Sequence, residues 1–525
     1  MNNIKHINKI ELYRTHIIIN DYKLGSAPRL ENCFQIYNPI THSYSYQGLE
    51  YIEETNQLIL PRGIDVYFLE NIFQVKAVNM NTYDDYEVFN DMQIKYLPRD
   101  NVQREALQFM LGVDKYQRTL LAPQLSVNLN TGKGKTYCAV CTAAYTGIKT
   151  IIITYSVKWL QQWKEFILEY TDTKEKEICM MINSNKIART LKEDTRKYKF
   201  ILTTHSSINS YAKNHGWDSI GGMFKTLKIG MKIYDEAHLN FKTMCMIDFH
   251  TNTFKTFYVT ATPLRSDSGE NQIYQYYMKN VPSIDLFDEE EDPHTDYIAI
   301  KFNSQPSINV VQACKNQYGL DRNAYMNYIV TNDNFYKILR LIMNMIITKG
   351  GKTLIYIGTI NAIYTVYYWI INNYPEFRFN TCILTSETQD KEIINKNQII
   401  LSTTKSAGAA VDIPFLKRTV VLAEPFKSEI LARQTLGRTR SNNTEYIEVV
   451  DKGFKSIPKW FLAKKPIFEK YALSCKTINI SNRELDEISE KLILNRIVLE
   501  PPKYRTILHY DTTNRKSPLL YDSLG

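Results

Sequence analysis

Two short segments of this chain hold residue types that could handle a phosphate. The first, Asn130-Thr131-Gly132-Lys133-Gly134-Lys135-Thr136, lies between an apolar run at 125–129 and a helical stretch. Glycines at 132 and 134 let backbone N–H groups turn inward around an anion, and a helix N-terminus adds partial positive charge. Thr131, Gly132, Lys133 and Gly134 would form the cradle, Lys135 can reach the β- and γ-phosphates, and the Thr136 hydroxyl can ligate Mg²⁺. The generic pattern puts a glycine five residues before Gly134, where this chain has Leu129. GKGKT alone could be a basic surface turn; the flanking strand and helix favour a nucleotide site.

The second segment, Ile233-Tyr234-Asp235-Glu236-Ala237-His238, ends an apolar run in two carboxylates. Ligands of open α/β sheets bind at such strand ends. Asp235 can hold Mg²⁺, directly or through water, and Glu236 is placed to orient or deprotonate an attacking water. An isolated Asp-Glu pair is commonly a helix N-cap, a reading that leaves the upstream glycine loop unexplained. Lys135, Asp235 and Glu236 are thus the first candidates for catalysis.

The elements that must position these residues follow from hydrophobic rhythm. Short apolar runs at 125–129, 150–155, 199–203, 231–235 and 256–260 alternate with longer helical stretches. The same rhythm resumes with runs at 353–358, 381–385, 398–403, 418–424 and 445–451. Such alternation implies an α/β fold, two parallel sheets wrapped by helices. Ahead of them, residues 1–95 carry short alternating runs at 16–20 and 57–61, broken by Gly25, Pro28, Pro39, Pro61 and Gly63, which reads as a small β-rich domain. The acidic run DLFDEEEDPH near 285–295 reads as a solvated linker. The expected divisions are 1–95, 96–285, a connecting segment 286–330, 331–455 and a C-terminal extension 456–525.

Composition excludes several classes. Hydrophobic residues make up 44% and charged residues 23%, so a sizeable core is available and a disordered chain is not expected. No run of eighteen apolar residues occurs, and the polar, basic start MNNIKHINK is not a signal peptide. The eight cysteines show no secreted disulfide framework, so a reducing compartment is expected. Cys138 and Cys141 fall one turn apart on a helix and suit small apolar core positions better than a metal site. The net charge of +9 suits a polyanionic partner without proving one.

With these residues in view the chain resembles superfamily 2 DEAH-type DNA helicases and translocases. Asp235-Glu236-Ala237-His238 is followed by Thr260-Ala261-Thr262-Pro263, and TATPLRSD (260–267) is similar to the UvsW/XPB-like branch. Arg99-Asp100-Asn101-Val102-Gln103 resembles the family's adenine-reading segment, Leu160-Gln161-Gln162-Trp163 its first strand-contact motif and Thr203-Thr204-His205 the next. Thr403-Thr404 with Gly408 through Asp412-Ile413-Pro414 resembles the fifth motif, and Gln434-Thr435-Leu436-Gly437-Arg438-Thr439-Arg440 the sixth. Together these span about 95–455.

The resemblance implies two tandem RecA-like P-loop domains, with ATP and Mg²⁺ as cofactors and hydrolysis of ATP to ADP and phosphate. Gln103 would read adenine. Gln434 and Arg438 would act from the second domain, Arg438 on the γ-phosphate. The family's last arginine would fall at Ser441; either Arg440 reaches the phosphate from a shifted backbone or Arg438 acts alone. His238, Thr260, Thr262 and Asp412 would couple the ATP site to the strand path, and Thr204 and Thr403 would touch the nucleic acid. Trp163 reads as a packing residue rather than a base-stacking platform.

The implied partner is nucleic acid, DNA first, single-stranded or branched and bound without sequence preference, by a monomeric motor working in replication, recombination or repair, alone or with the proteins of those processes. A transcription-associated translocase and an RNA helicase share the same motor residues, and a non-catalytic scaffold is the rival from another class. The implied location is the cytoplasm of a bacterium or of a cell infected by phage or virus, with no membrane partner. Arg14, Lys23, Arg29 and Arg62, interleaved with Tyr22, Tyr37, Tyr44 and Tyr46, could grip duplex DNA or belong to a scaffold packed on the motor. Lys455, Lys459, Lys464 and Lys465 could track phosphates or form a solvated helical face.

Overall fold

The computed structural model describes residues 9–38, 42–114, 116–129, 133–237, 239–260, 268–286, 295–317, 319–385, 391–404, 413–436 and 443–497. Every strand pair within its two large sheets is parallel. The first has seven strands in the order Ile178–Met181, Phe200–Thr204, Thr150–Thr154, Met231–Asp235, Lys255–Thr260, Gln124–Leu129 and Ser283–Leu286. The second, also seven-stranded, runs Thr381–Leu384, Ile399–Ser402, Lys352–Ile357, Leu416–Ala423, Thr444–Asp451, Thr295–Phe302 and Ser474–Asn479. These are two tandem RecA-like units: the alternation of apolar runs implies the two parallel sheets, and the resemblance implies their RecA-like make.

The central strands read as unbroken apolar runs because helices cover both faces. All five residues of Thr150–Thr154 are buried, as are all six of Gln124–Leu129. One face of the first sheet supports a core around Leu125, Val140, Ile152, Trp163 and Ile233. The other face is shared. Ile151, Ile153, Tyr234 and Tyr258 pack into one continuous core with Ile10, Ile17, Leu30, Leu58 and Leu69 of the N-terminal segment.

That segment builds a five-stranded sheet in the order Glu50–Ile52, Gln57–Pro61, His16–Ile19, Ile10–Leu12 and Ala77–Asn79. Arg14 fastens it to the first unit: its Nε donates to the Phe254 carbonyl at 2.8 Å, and its guanidinium lies 4.8 Å from the Phe254 ring centre. Arg62 is half-buried, and Tyr22 is wholly buried with its hydroxyl donated to Glu31 Oε1 at 2.5 Å. These three side chains serve packing; Tyr37 and Tyr44 stay exposed.

Two segments differ from the sequence expectation. Thr295–Phe302, within the stretch read as connecting, is an interior strand of the second sheet, paired with Thr444–Asp451 and Ser474–Asn479. Beyond 455, the helix Ser456–Tyr471 and strand Ser474–Asn479 complete that sheet's layers, and the helix Asn482–Ile497 lies on Asp333–Lys349, where Arg340 Nη1 donates to Ser489 Oγ at 3.2 Å. Lys464 is no phosphate tracker: it is buried, 2.5 Å from Glu448 Oε1 and 3.8 Å from the Phe426 ring centre. Lys465 sits in an exposed pair with Glu469 at 2.9 Å. Among the described residues no helix is long and apolar enough to cross a membrane.

Candidate nucleotide site

Parallel strands end on one edge of a sheet, so the chemistry of Gln124–Leu129, Met231–Asp235 and Lys255–Thr260 converges there. The helix Lys135–Thr146 starts directly after the glycine loop, with Gly134 as its N-cap at φ +91° and no side-chain cap. Its first-turn N–H groups are therefore not claimed by a capping side chain and face an anion's position. Only glycine fits at 134. A Cβ there would lie 2.2 Å from Gln103 Nε2, in addition to the left-handed backbone.

Gln103 is held from the other side. Its Oε1 accepts the Arg99 N–H at 3.0 Å, while its own N–H caps onto Asp100 Oδ1 at 2.8 Å at the start of the helix Asn101–Met110. The segment 99–103 is thus locked against the phosphate loop, and its glutamine is buried. Cys138 and Cys141, on the helix behind the loop, are fully buried, and burial pushes both thiols up, to about 12 and about 11. They are core residues, as their spacing suggests.

The acidic pair sits opposite Lys135. Lys135 Nζ is 3.3 Å from Glu236 Oε1 and 3.5 Å from the Leu129 carbonyl. Leu129, the departure from the generic glycine, thus supplies a buried strand end whose carbonyl helps hold the lysine. Glu236 adopts φ +49°, a left-handed turn that costs a non-glycine residue about 1–2 kcal/mol. The turn is fixed by Ala237 N donating to the Val259 carbonyl at 3.1 Å and Leu239 N to the Glu236 carbonyl at 2.8 Å. Strain held in place this way is characteristic of functional turns. Thr260 Oγ1 lies 3.4 Å from Glu236 Oε2, so the strand Lys255–Thr260 touches the catalytic candidate directly.

Asp235 is the electrostatic centre. Burial, then the neighbouring Glu236 charge, push its carboxyl up to about 6, against the pull of the Trp163 indole and Lys135. Trp163 Nε1 donates to Asp235 Oδ2 at 2.8 Å. Two crowded carboxylates beside a threonine hydroxyl form a hard oxygen donor set with surplus negative charge, which fits Mg²⁺. Asp235 and Thr136 would hold the ion.

Other expected residues fall differently. Thr204 is fully buried, and its hydroxyl accepts the Ser207 N–H at 3.0 Å, capping the helix His205–His215. Committed to that cap, it does not face a passing strand, which corrects the expectation for its side chain. Thr403 is buried at the end of Ile399–Ser402; the next residue, Thr404, is tied to Glu424, its N–H donating to Oε2 at 2.8 Å and its hydroxyl to Oε1. Gln434 belongs to the helix Glu429–Leu436, with its side chain outside the described residues. Thr131, Gly132, His238, Thr262, Asp412, Arg438 and Arg440 lie outside the described residues.

One polar centre was missed by sequence reading. Behind the same sheet, Asp248 accepts from Lys232 Nζ at 2.5 Å, Tyr234 at 2.9 Å, and Tyr258 and Tyr277 at 2.5 Å each, all fully or almost fully buried. The available signal was Lys232, a charge inside the apolar run 231–235.

A parallel sheet with a phosphate loop, paired acids at its carboxyl edge and a second sheet of the same make define a tandem RecA-like P-loop protein. Residues 97–265 match the family model described as type III restriction enzyme, res subunit. That match covers less than half of the chain. No curated protein matches the chain. Similar solved structures include S. cerevisiae Dbp5 bound to RNA and ADP BeF3, 15% identical over 75% of this chain and 92% of that one, with a TM-score of 0.47. T4 UvsW is 13% identical over 90% of this chain and 99% of its own, with a TM-score of 0.33. The ATP-dependent type ISP restriction-modification enzyme LlaBIII, bound to DNA, is 14% identical over 77% of this chain and 33% of its own, with a TM-score of 0.48.

Proposed function

We propose that this chain is an ATP-dependent DNA helicase or translocase that couples ATP hydrolysis to unwinding or remodelling of branched DNA. The observation that carries the reading is the Lys135 ammonium 3.3 Å from Glu236, with Asp235 and Thr260 on the adjoining strand ends. Lys135 holds the terminal phosphates, Gln103 orients the base, and Asp235 and Thr136 hold Mg²⁺. That ion, when bound, neutralises charge on the β- and γ-phosphate oxygens. Glu236 orients the attacking water and accepts its proton; Lys135 holds this carboxylate at 3.3 Å, and an entering phosphate competes for the same ammonium. Arg438 acts on the γ-phosphate from the second unit together with Gln434, either with Arg440 or as the one arginine, while His238, Thr260, Thr262 and Asp412 relay the change toward the strand at Thr403.

DNA is favoured over RNA by the TATPLRSD segment and by the family model's naming of a restriction enzyme subunit. The net charge of +9 supports a polyanion in general. Binding is expected to be salt-sensitive and sequence-tolerant, and the motor to work as a monomer in the cytoplasm.

The deciding experiment measures ATPase rate over single-stranded DNA, forked DNA and RNA, with Glu236→Gln as control. Stimulation by DNA, strongest with forks and absent in the control, is expected. Stimulation by RNA alone sinks the DNA reading. No nucleic-acid-stimulated hydrolysis, with Lys135→Ala leaving biological function intact, favours a binding scaffold.

A further inference from the structure

Trp163 belongs to the helix Val157–Tyr170 and is 2% exposed. A buried indole must find an acceptor for its one N–H. Here the acceptor is Asp235 Oδ2, at 2.8 Å across 72 residues of sequence. Asp235 is the last residue of its strand and is still paired with Val259, which carries its side chain to the sheet's carboxyl edge. Oδ2 is engaged by a rigid ring and the carboxylate also accepts the Glu236 N–H, so its rotation is fixed while its remaining lone pairs can take an ion or its water.

We propose that Trp163 is a positioning residue for Asp235, setting the metal-holding geometry of the nucleotide site while touching neither nucleotide nor metal. This rests on the proposed ATP site. The indole is a better tool for the purpose than a serine or lysine. It donates once, carries no charge that would compete with a divalent ion, and is wedged among Leu160, Ile167 and Ile233 in the core, so it cannot follow the carboxylate if that swings. Partners that orient metal ligands typically matter by roughly 10–100-fold in affinity. The placement has a second consequence. Trp163 is itself the last residue of Leu160-Gln161-Gln162-Trp163, the segment resembling a strand-contact motif, so displacement of that helix acts on Asp235 through one hydrogen bond.

The test is calorimetric binding of ADP to the full chain, with Mg²⁺ and with EDTA, for wild type, Trp163→Phe and Trp163→His. Trp163→Phe should lose roughly 10–100-fold in affinity for Mg·ADP while binding ADP in EDTA as wild type does. Trp163→His, which keeps a ring N–H, should recover part of the loss. In ¹⁵N-tryptophan spectra of the wild type, the indole peak absent from Trp163→Phe should move when Mg²⁺ joins bound ADP. Equal affinity of Trp163→Phe and wild type for Mg·ADP overturns the proposal, as does an equal loss with and without Mg²⁺, which is the mark of packing alone. If neither variant folds, wild-type indole peaks that stay fixed on Mg²⁺ addition overturn it. Wild type that binds no ADP under either condition sinks the ATP-site reading itself.

Discussion

Asp248→Asn is the sharpest perturbation of the first unit. The carboxylate compensates Lys232, 2.5 Å away with both side chains at 0% exposure, and accepts three tyrosine hydroxyls as well. An asparagine keeps the shape and one carbonyl acceptor but leaves the ammonium without a counter-charge in a dry core. Among the described residues Lys232 keeps the Thr251 hydroxyl, at 2.7 Å, and the faces of Phe224 and Tyr234, at 5.8 and 5.5 Å. Breaking a buried pair from one side costs about 3–5 kcal/mol, a large share of the 5–15 kcal/mol that typically holds a domain. For a unit of this size that is a fall of roughly 6–20 °C in unfolding midpoint. Differential scanning calorimetry, following the transition that Mg·ADP shifts, measures it. The second half of the test is Lys232→Met. Alone it also destabilises, by stranding Asp248; in the Asp248→Asn background it should be neutral or restoring, because both charges are then gone. An Asp248→Asn protein that melts with wild type, or a Lys232→Met cost that is the same in both backgrounds, would refute the reasoning.

Three further outcomes are expected. His16 and His205 are fully buried, and burial depresses both rings to about 4. The unfolded chain binds their protons from pH 6.5 downward, so stability is full above 6.5 and falls toward pH 4 by about 3 kcal/mol for each histidine. Urea titrations across that range should show it, and His205→Phe should remove its share without loss at neutral pH, since neither ring nitrogen has a hydrogen-bond partner among the described residues. Gly134→Ala should weaken Mg·ADP binding and lower stability by about 1–2 kcal/mol for its left-handed backbone; adding Gln103→Ala should relieve the clash but not the backbone cost, as calorimetry and melting would separate. Arg438→Ala should slow nucleic-acid-stimulated hydrolysis by roughly 10³-fold or more while ADP affinity holds; a tenfold effect in a kinetic assay would rule out a finger role.

Ten strands of the two large sheets were readable because central parallel strands need unbroken apolar runs, and TIIIT or FILTT can hardly be anything else. Three of the four edge strands were not, Thr381–Leu384 being the exception. Ser474–Asn479 is exposed along nearly its whole length and Ser283–Leu286 is half polar, so neither leaves a hydrophobic signature. Thr295–Phe302 was hidden by the acidic run before it. At the nucleotide site, Lys135, Asp235 and Glu236 could be named because each sits in a local pattern. The contact of Trp163 with Asp235 depends on how a helix lies on a sheet, which no local pattern encodes. Thr204 shows the converse: a residue type suited to phosphate contact was taken for helix capping, and burial decides between the two.

The core shared by the N-terminal sheet and the first unit has a consequence for how the chain is made. Ile10, Ile17 and Leu58 find their partners at Phe241, Tyr258, Tyr277 and Val281, more than two hundred residues later for the earliest of them. Contacts of that span close slowly and leave apolar surface exposed in the meantime. The N-terminal segment leaves the ribosome before its partners and cannot finish folding until the strand Lys255–Thr260 and the helix Ser268–Met278 have emerged. Its early strands must wait, guarded from aggregation by whatever holds a nascent chain, so slowing synthesis just past residue 281 should help this protein more than slowing it at residue 95.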